Sequence, residues 1–196
     1  VYLRDRFRAL NIDLQIPDLN QPDFYHLTLS RQVQQVQAAL PLGPVILIGS
    51  SFGGLTAAWV AQQNTQVQRL ILLAPAFQFL HQWLPTLGES QRQHWQTQGQ
   101  LEFYHYGKQH PLPLSYEFVR DAEQYPDDQL QRSLPTLILH GLHDEVISIA
   151  ASRNFVAQRL WAHLIELDSN HALGNVKVEI WQAIREFCQL EDATDR

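Results

Sequence analysis

Methionine is absent from this chain, and cysteine occurs once, at Cys188. A single cysteine excludes an intramolecular disulfide. With no signal peptide in view, it makes a reducing compartment, the cytoplasm, the expected location. Charge is sparse, at 17% of residues, and sums to -6. That balance leaves no basic footprint, so neither a nucleic-acid partner nor an anionic membrane surface is expected. No apolar run approaches the roughly 20 residues of a membrane-spanning helix. Internal repeats and low-complexity linkers are missing too. What remains is a hydrophobic fraction of 45% over 196 residues, enough for one domain with a sizeable core.

What the chain does contain is a strand, a glycine-serine turn and a helix in immediate succession. Pro44-Val45-Ile46-Leu47-Ile48 is a short apolar run rich in β-branched residues and reads as a fully buried strand. Gly54 to Ala61 reads as a helix with small residues on one side. Between them lies Gly49-Ser50-Ser51-Phe52-Gly53, a G-x-S-x-G sequence in the context of a nucleophile elbow. A serine in so sharp a turn needs neighbours without side chains, which assigns Gly49 and Gly53 a steric role. The bland alternative is a glycine-rich strand-to-helix turn that happens to hold a serine.

Around this turn the chain alternates helix and strand. Leu3, Phe7 and Leu10 share a helical face, Ile12–Ile16 alternates like a strand before Pro17, and Leu29, Val33, Val36 and Leu40 mark an amphipathic helix. After the elbow helix, Val67–Ala74 reads as a buried strand. Thr136–Leu139 and His163–Leu167 repeat that pattern, with helices over Ile149–Leu160 and Val176–Leu190. Such alternation predicts an α/β fold with a mainly parallel sheet and crossover helices. Residues 77–134 break the pattern, with many aromatic residues and no dominant period. Short helices forming a lid or insertion fit this stretch, and a second layer packed on the sheet is the alternative.

A serine at an elbow needs a base and a group that orients the base. In a parallel sheet the loops after strands meet at one edge. One such loop reads His140-Gly141-Leu142-His143-Asp144-Glu145, and the next reads Asp168-Ser169-Asn170-His171. The order Ser51, Asp144, His171 is the order expected of an elbow serine and its partners. Asp168 competes for the acid role but shares a loop with the histidine. Glu145 reads as a surface charge, Ser50 as a local hydrogen-bonding residue, and His140 and His143 as residues that shape their loop. His105 and His110 lack the companions a metal site needs.

In its elbow Gly49-Ser50-Ser51-x-Gly53-Gly54, in His140-Gly141-x-x-Asp144 and in Ser169-Asn170-His171, the chain resembles the α/β-hydrolases, close to their small bacterial esterase-like members. The resemblance runs from the elbow onward. It implies helices on both sheet faces in a single domain over residues 1–196, with residues 77–134 as a lid inserted in it. It implies Ser51 as nucleophile, His171 as general base and then acid, Asp144 as its orienting group, and the Phe52 N–H as an oxyanion donor. No cofactor and no metal is implied. The expected substrate is a small carboxylic ester or thioester, held under Trp83, Trp95, Tyr104, Tyr106 and Tyr116 of the insertion. The alternative is a non-catalytic binding or scaffold relative. The family also has a strand and a His-Gly-type loop ahead of the first helix, and no such pair precedes this elbow. The expectation is therefore an incomplete N-terminus, with open sheet edges that favour homo-oligomers.

Overall fold

The computed structural model describes residues 2–105 and 107–190, so Tyr106 lies outside the described residues. The chain runs through α1 (Tyr2–Ala9), α2 (Leu29–Ala39), β1 (Val45–Ser50), α3 (Phe52–Gln63) and β2 (Val67–Leu73). A long excursion follows: α4 (Phe79–Trp83), a 3₁₀ turn at Leu84–Leu87, α5 (Gly88–Gln98), β3 (Gln100–His105), β4 (His110–Ser115) and α6 (Glu117–Ala122). After a second 3₁₀ turn at Asp127–Gln129 come β5 (Thr136–Gly141), α7 (Ile149–Ala157), β6 (Ala162–Leu167) and α8 (Lys177–Cys188).

Four strands form one parallel sheet in the order β1-β2-β5-β6. Side chains alternate between its faces, and that alternation divides the core. Leu70, Leu72 and Ile138 join Leu29 and Val33 of α2, Leu55 to Ala61 of α3 and Phe155 of α7. Ile71, Leu137 and Leu139 join Phe7 of α1 and Ile180, Trp181 and Ile184 of α8. Helices therefore cover both faces, as the sequence pattern implies. All six residues of β5 are buried, which is why Leu137, Ile138 and Leu139 follow one another without alternation. Among the described residues no helix is long and apolar enough to cross a membrane.

Two expectations fail at one edge. Ile12–Ile16 forms no strand, and β1 is not fully buried, with Ile46 44% exposed. Both have the same cause. Among the described residues β1 pairs with β2 on one side only, so its outer backbone groups meet no ladder and Ile12–Ile16 pairs with no strand. Apolar grooves of about 390 and 620 Å³ lie along this edge, between Leu14, Gln15 and Pro17 and the β1 residues Ile46, Leu47 and Ile48.

Residues 77–134 are not helices alone. β3 and β4 pair as an antiparallel hairpin, with Tyr104 opposite Pro111 and Glu102 opposite Pro113. Those prolines hide the hairpin in the sequence, yet a two-stranded ribbon tolerates them because both strands are edges. Trp95, Leu114, Phe118 and Val119 of this stretch form a separate apolar cluster with Leu27 from ahead of α2. Its return to the sheet is anchored by Arg159, whose guanidinium donates to the carbonyls of Leu130, Phe155 and Asp127.

Where α4 begins, the Asp127 carboxylate accepts the Gln78 N–H at 2.5 Å. Burial pushes its pKa from 3.8 to about 6, against that hydrogen bond and the nearby Arg159 charge. A raised value means the folded state holds the proton more tightly than the unfolded one. The stabilisation is therefore full below pH 3.8 and lost as pH rises through about 6. Asp127→Asn is expected to stabilise the protein by about 1–2 kcal/mol at pH 8 and to change little at pH 4. Urea midpoints at the two pH values measure this, and an equal change at both would refute it.

Candidate active site

Ser51 sits between β1 and α3 with φ 52° and ψ -122°, a left-handed φ that costs energy for any residue with a Cβ. The turn is held on both sides. The Ser51 N–H donates to the Leu73 carbonyl, and the Ser51 carbonyl accepts from the N–H groups of Gly54, Leu55 and Ala76. A Cβ on Gly49 would overlap the Gly53 carbonyl and come within 2.8 Å of the Gly54 Cα, so strand and helix can cross there only at glycine. Gly53 differs from its expected role, since a Cβ there meets nothing within 4 Å. Gly54 is the second close approach, with Pro75 atoms 3.1 Å from a Cβ. Gly49→Ala should accordingly destabilise the fold by about 1–3 kcal/mol or more, whereas Gly53→Ala should be tolerated. Thermal unfolding of the two variants separates these outcomes, and equal loss in both would contradict the assignment.

The loops after β5 and β6 meet opposite this turn. A Cβ on Gly141 would overlap the Ser169 carbonyl and approach the Asn170 carbonyl to 2.7 Å, so the glycine lets the two loops cross. The crossing places His171 between Ser51 and Asp144. His171 Nδ1 donates to Asp144 Oδ2 at 2.7 Å, and Ser51 Oγ donates to His171 Nε2 at 3.0 Å. The Asp144 side chain is wholly buried and that of His171 is 19% exposed. Asp144 Oδ1 accepts the N–H groups of Val146 and Ile147 at 2.9 and 2.8 Å. Such a chain can deliver the hydroxyl proton to the imidazole as the oxygen attacks. Phe52 opens α3, so its N–H has no acceptor within the helix and lies beside the serine.

Asp168 is not bonded to His171. It points into solvent and pairs with His143 Nε2 at 3.0 Å. Glu145 does more than decorate the surface, since its carboxylate accepts the His171 backbone N–H at 3.4 Å. Ser50 is exposed, and its hydroxyl makes no hydrogen bond among the described residues. His105 and His110 face each other across the hairpin. Among the described residues no group of three or more His, Cys, Asp or Glu could hold a metal ion.

The expected aromatic residues are dispersed. Trp95 has no exposed surface, and its Nε1–H donates to the Leu114 carbonyl. It is a core residue of the insertion and has no face left for a ligand. Tyr116 packs edge-on against Trp95 at 5.5 Å, and Tyr104 is 54% exposed on the hairpin. Trp83 stacks on Phe79 at 5.0 Å, and Phe79 in turn lies 5.5 Å from Phe52. Phe118 contacts both Phe52 and Phe79. The ring chain that reaches the residue after Ser51 thus runs through Phe79 and Phe118, which the sequence reading passes over. Nothing in their spacing sets them apart, because a contact between residues 52 and 118 is made only by folding.

Among solved structures, a protein from Agrobacterium vitis S4 provisionally classed as a hydrolase superposes with a TM-score of 0.77. It is 20% identical, over 95% of this chain and 80% of that one. The α/β-hydrolase domain-containing protein 10 from mouse gives 0.71 at 19% identity, over 97% and 83%. Est1E from Butyrivibrio proteoclasticus gives 0.67 at 20%, over 83% and 70%. At these identities the likeness is one of fold. No curated protein matches the sequence. The profile of the uncharacterised protein family UPF0227 matches residues 1–188, so the chain belongs to that family and has the α/β-hydrolase fold.

Proposed function

We propose that the protein is a serine hydrolase that cleaves a small carboxylic ester or thioester through an acyl-Ser51 intermediate. One observation carries the reading: a serine strained onto an elbow, bonded to a histidine that is bonded to a buried carboxylate. Ser51 Oγ attacks the carbonyl carbon while His171 Nε2 takes its proton. The oxyanion that forms is stabilised by the Phe52 N–H at the positive end of α3. Collapse expels the alcohol or thiol, which leaves with the proton from His171. Water, deprotonated by the same imidazole, then releases the acid and restores Ser51. Asp144 holds the imidazole in the tautomer that makes both transfers possible.

A second donor for the oxyanion would have to approach from the free edge of β1, where the 620 Å³ groove opens beside Ser50 and Gly53. The acyl group is proposed to lie against Phe52, Phe79 and Trp83. Phe79→Ala is then expected to shift the preferred acyl length by about two carbons or more, at about 0.8 kcal/mol per buried methylene. Its rate with a small phosphonate should change little. A series of p-nitrophenyl esters reads the first effect, and an unchanged chain-length profile counts against the pocket.

The test of the function itself is covalent labelling of the pure protein by a fluorophosphonate, with release of p-nitrophenol from a short-chain ester. A protein that neither labels nor turns over any activated ester is the non-catalytic binding relative instead.

A further inference from the structure

β5 ends in His140-Gly141, and a histidine in a strand with every residue buried has to satisfy both ring nitrogens inside the protein. His140 is 0% exposed. Its Nδ1 lies 2.8 Å from Ser152 Oγ on α7. Its Nε2 lies 3.0 Å from the Ile147 carbonyl and 3.0 Å from Asp144 Oδ2. Two acceptors at Nε2 require the ring proton there, and the one group at Nδ1, a hydroxyl, can donate. The network thus has a single consistent arrangement, with Ser152 O–H given to Nδ1 and Nε2–H given to Asp144 and Ile147. Burial lowers the pKa of His140 and keeps the ring neutral.

The shared oxygen is the informative detail. Asp144 Oδ1 is held by two backbone N–H groups, whereas Oδ2 is the oxygen that receives His171. Without His140, Oδ2 would be held by the one imidazole it has to orient. We propose that His140 is a positioning residue, a neutral donor locked by Ser152 that fixes Asp144 Oδ2 where His171 needs it. This rests on the reading of Ser51, His171 and Asp144 as one catalytic unit. A histidine that merely satisfies itself in the core would need only the Ile147 carbonyl and Ser152.

The experiment compares wild type with His140→Leu and His140→Gln, whose side-chain amide N–H can replace Nε2–H. The fluorophosphonate labelling rate is expected to fall about tenfold to a hundredfold in the leucine variant, the cost of a slightly misplaced catalytic group. Recovery to within a few-fold of wild type is expected in the glutamine variant, together with the low-field proton signal of His171 Nδ1–H. Wild-type labelling in His140→Leu, or no recovery in His140→Gln, overturns the proposal. Nitrogen-15 spectra of histidine-labelled wild type test its premise even if the leucine variant does not fold. They should show His140 protonated on Nε2 and bare on Nδ1, and the opposite tautomer would refute it. Absence of labelling in wild type would instead defeat the hydrolase reading, while the spectra still report the tautomer of His140.

Discussion

On the proposed function, Ser51→Ala is expected to lower turnover of an activated short-chain ester by about 10⁶, the size of loss that follows removal of a triad serine. Covalent labelling by a fluorophosphonate should disappear with it. The fold should remain, because Ser51 lends its hydroxyl to His171 alone, while the turn is held by its backbone bonds to Leu73, Gly54, Leu55 and Ala76. Alanine inherits the same positive φ, so the substitution neither relieves nor adds backbone strain. Circular dichroism and thermal unfolding check that point, and kinetics with intact mass spectrometry check the chemistry. An alanine variant labelled as fast as wild type would place the nucleophile elsewhere, and Ser51 would lose its role.

The second large effect belongs to the carboxylate. Asp144→Asn should cost about 10⁴ in turnover, because an amide N–H facing His171 Nδ1 forces the imidazole into the wrong tautomer. Two donors already converge on Asp144 Oδ2, from His171 and His140. An asparagine that turns its nitrogen toward them sets an N–H against the His140 Nε2–H, which keeps only the Ile147 carbonyl, and one that turns its oxygen toward them points its N–H₂ at the Val146 and Ile147 amides. Either orientation leaves buried donors unpaired, so some loss of stability should accompany the loss of rate. Asp168→Asn should change the rate by no more than about threefold, in line with an exposed pair whose coupling is weak. Its partner His143 is exposed as well. Kinetics on the two variants decide between the carboxylates, and the reverse ranking would move the acid into the histidine's own loop.

Much of this protein could be read along one dimension. The elbow serine, its flanking strand and helix, and the alternation of helices and strands are local patterns. Neighbouring residues set them, so they survive in the sequence. The same holds for Asp144 and His171, since every parallel strand ends at one sheet edge and a loop after a strand is a place on that edge. Where the reading erred, the missing information was a neighbour. Ile12–Ile16 has the alternation of a strand but no partner to pair with, and Gly53 has the glycine of an elbow but no atom crowding it. Trp95 and Phe79 look alike as aromatic residues in one insertion, yet one is sealed in a core and the other reaches the residue beside Ser51.

The sequence by itself determined the α/β alternation, the elbow and the two loops that carry its candidate acid and histidine, because period, glycine and loop position are properties of adjacent residues. Only the tertiary structure decided which carboxylate His171 meets, which rings approach Ser51, and that His140 Nε2 lies against the same oxygen as His171. Each of these is a contact of a few ångströms between residues far apart on folded strands and loops. Contacts of that kind are set by how the strands stack and where their loops cross, at Gly49 and Gly141 above all.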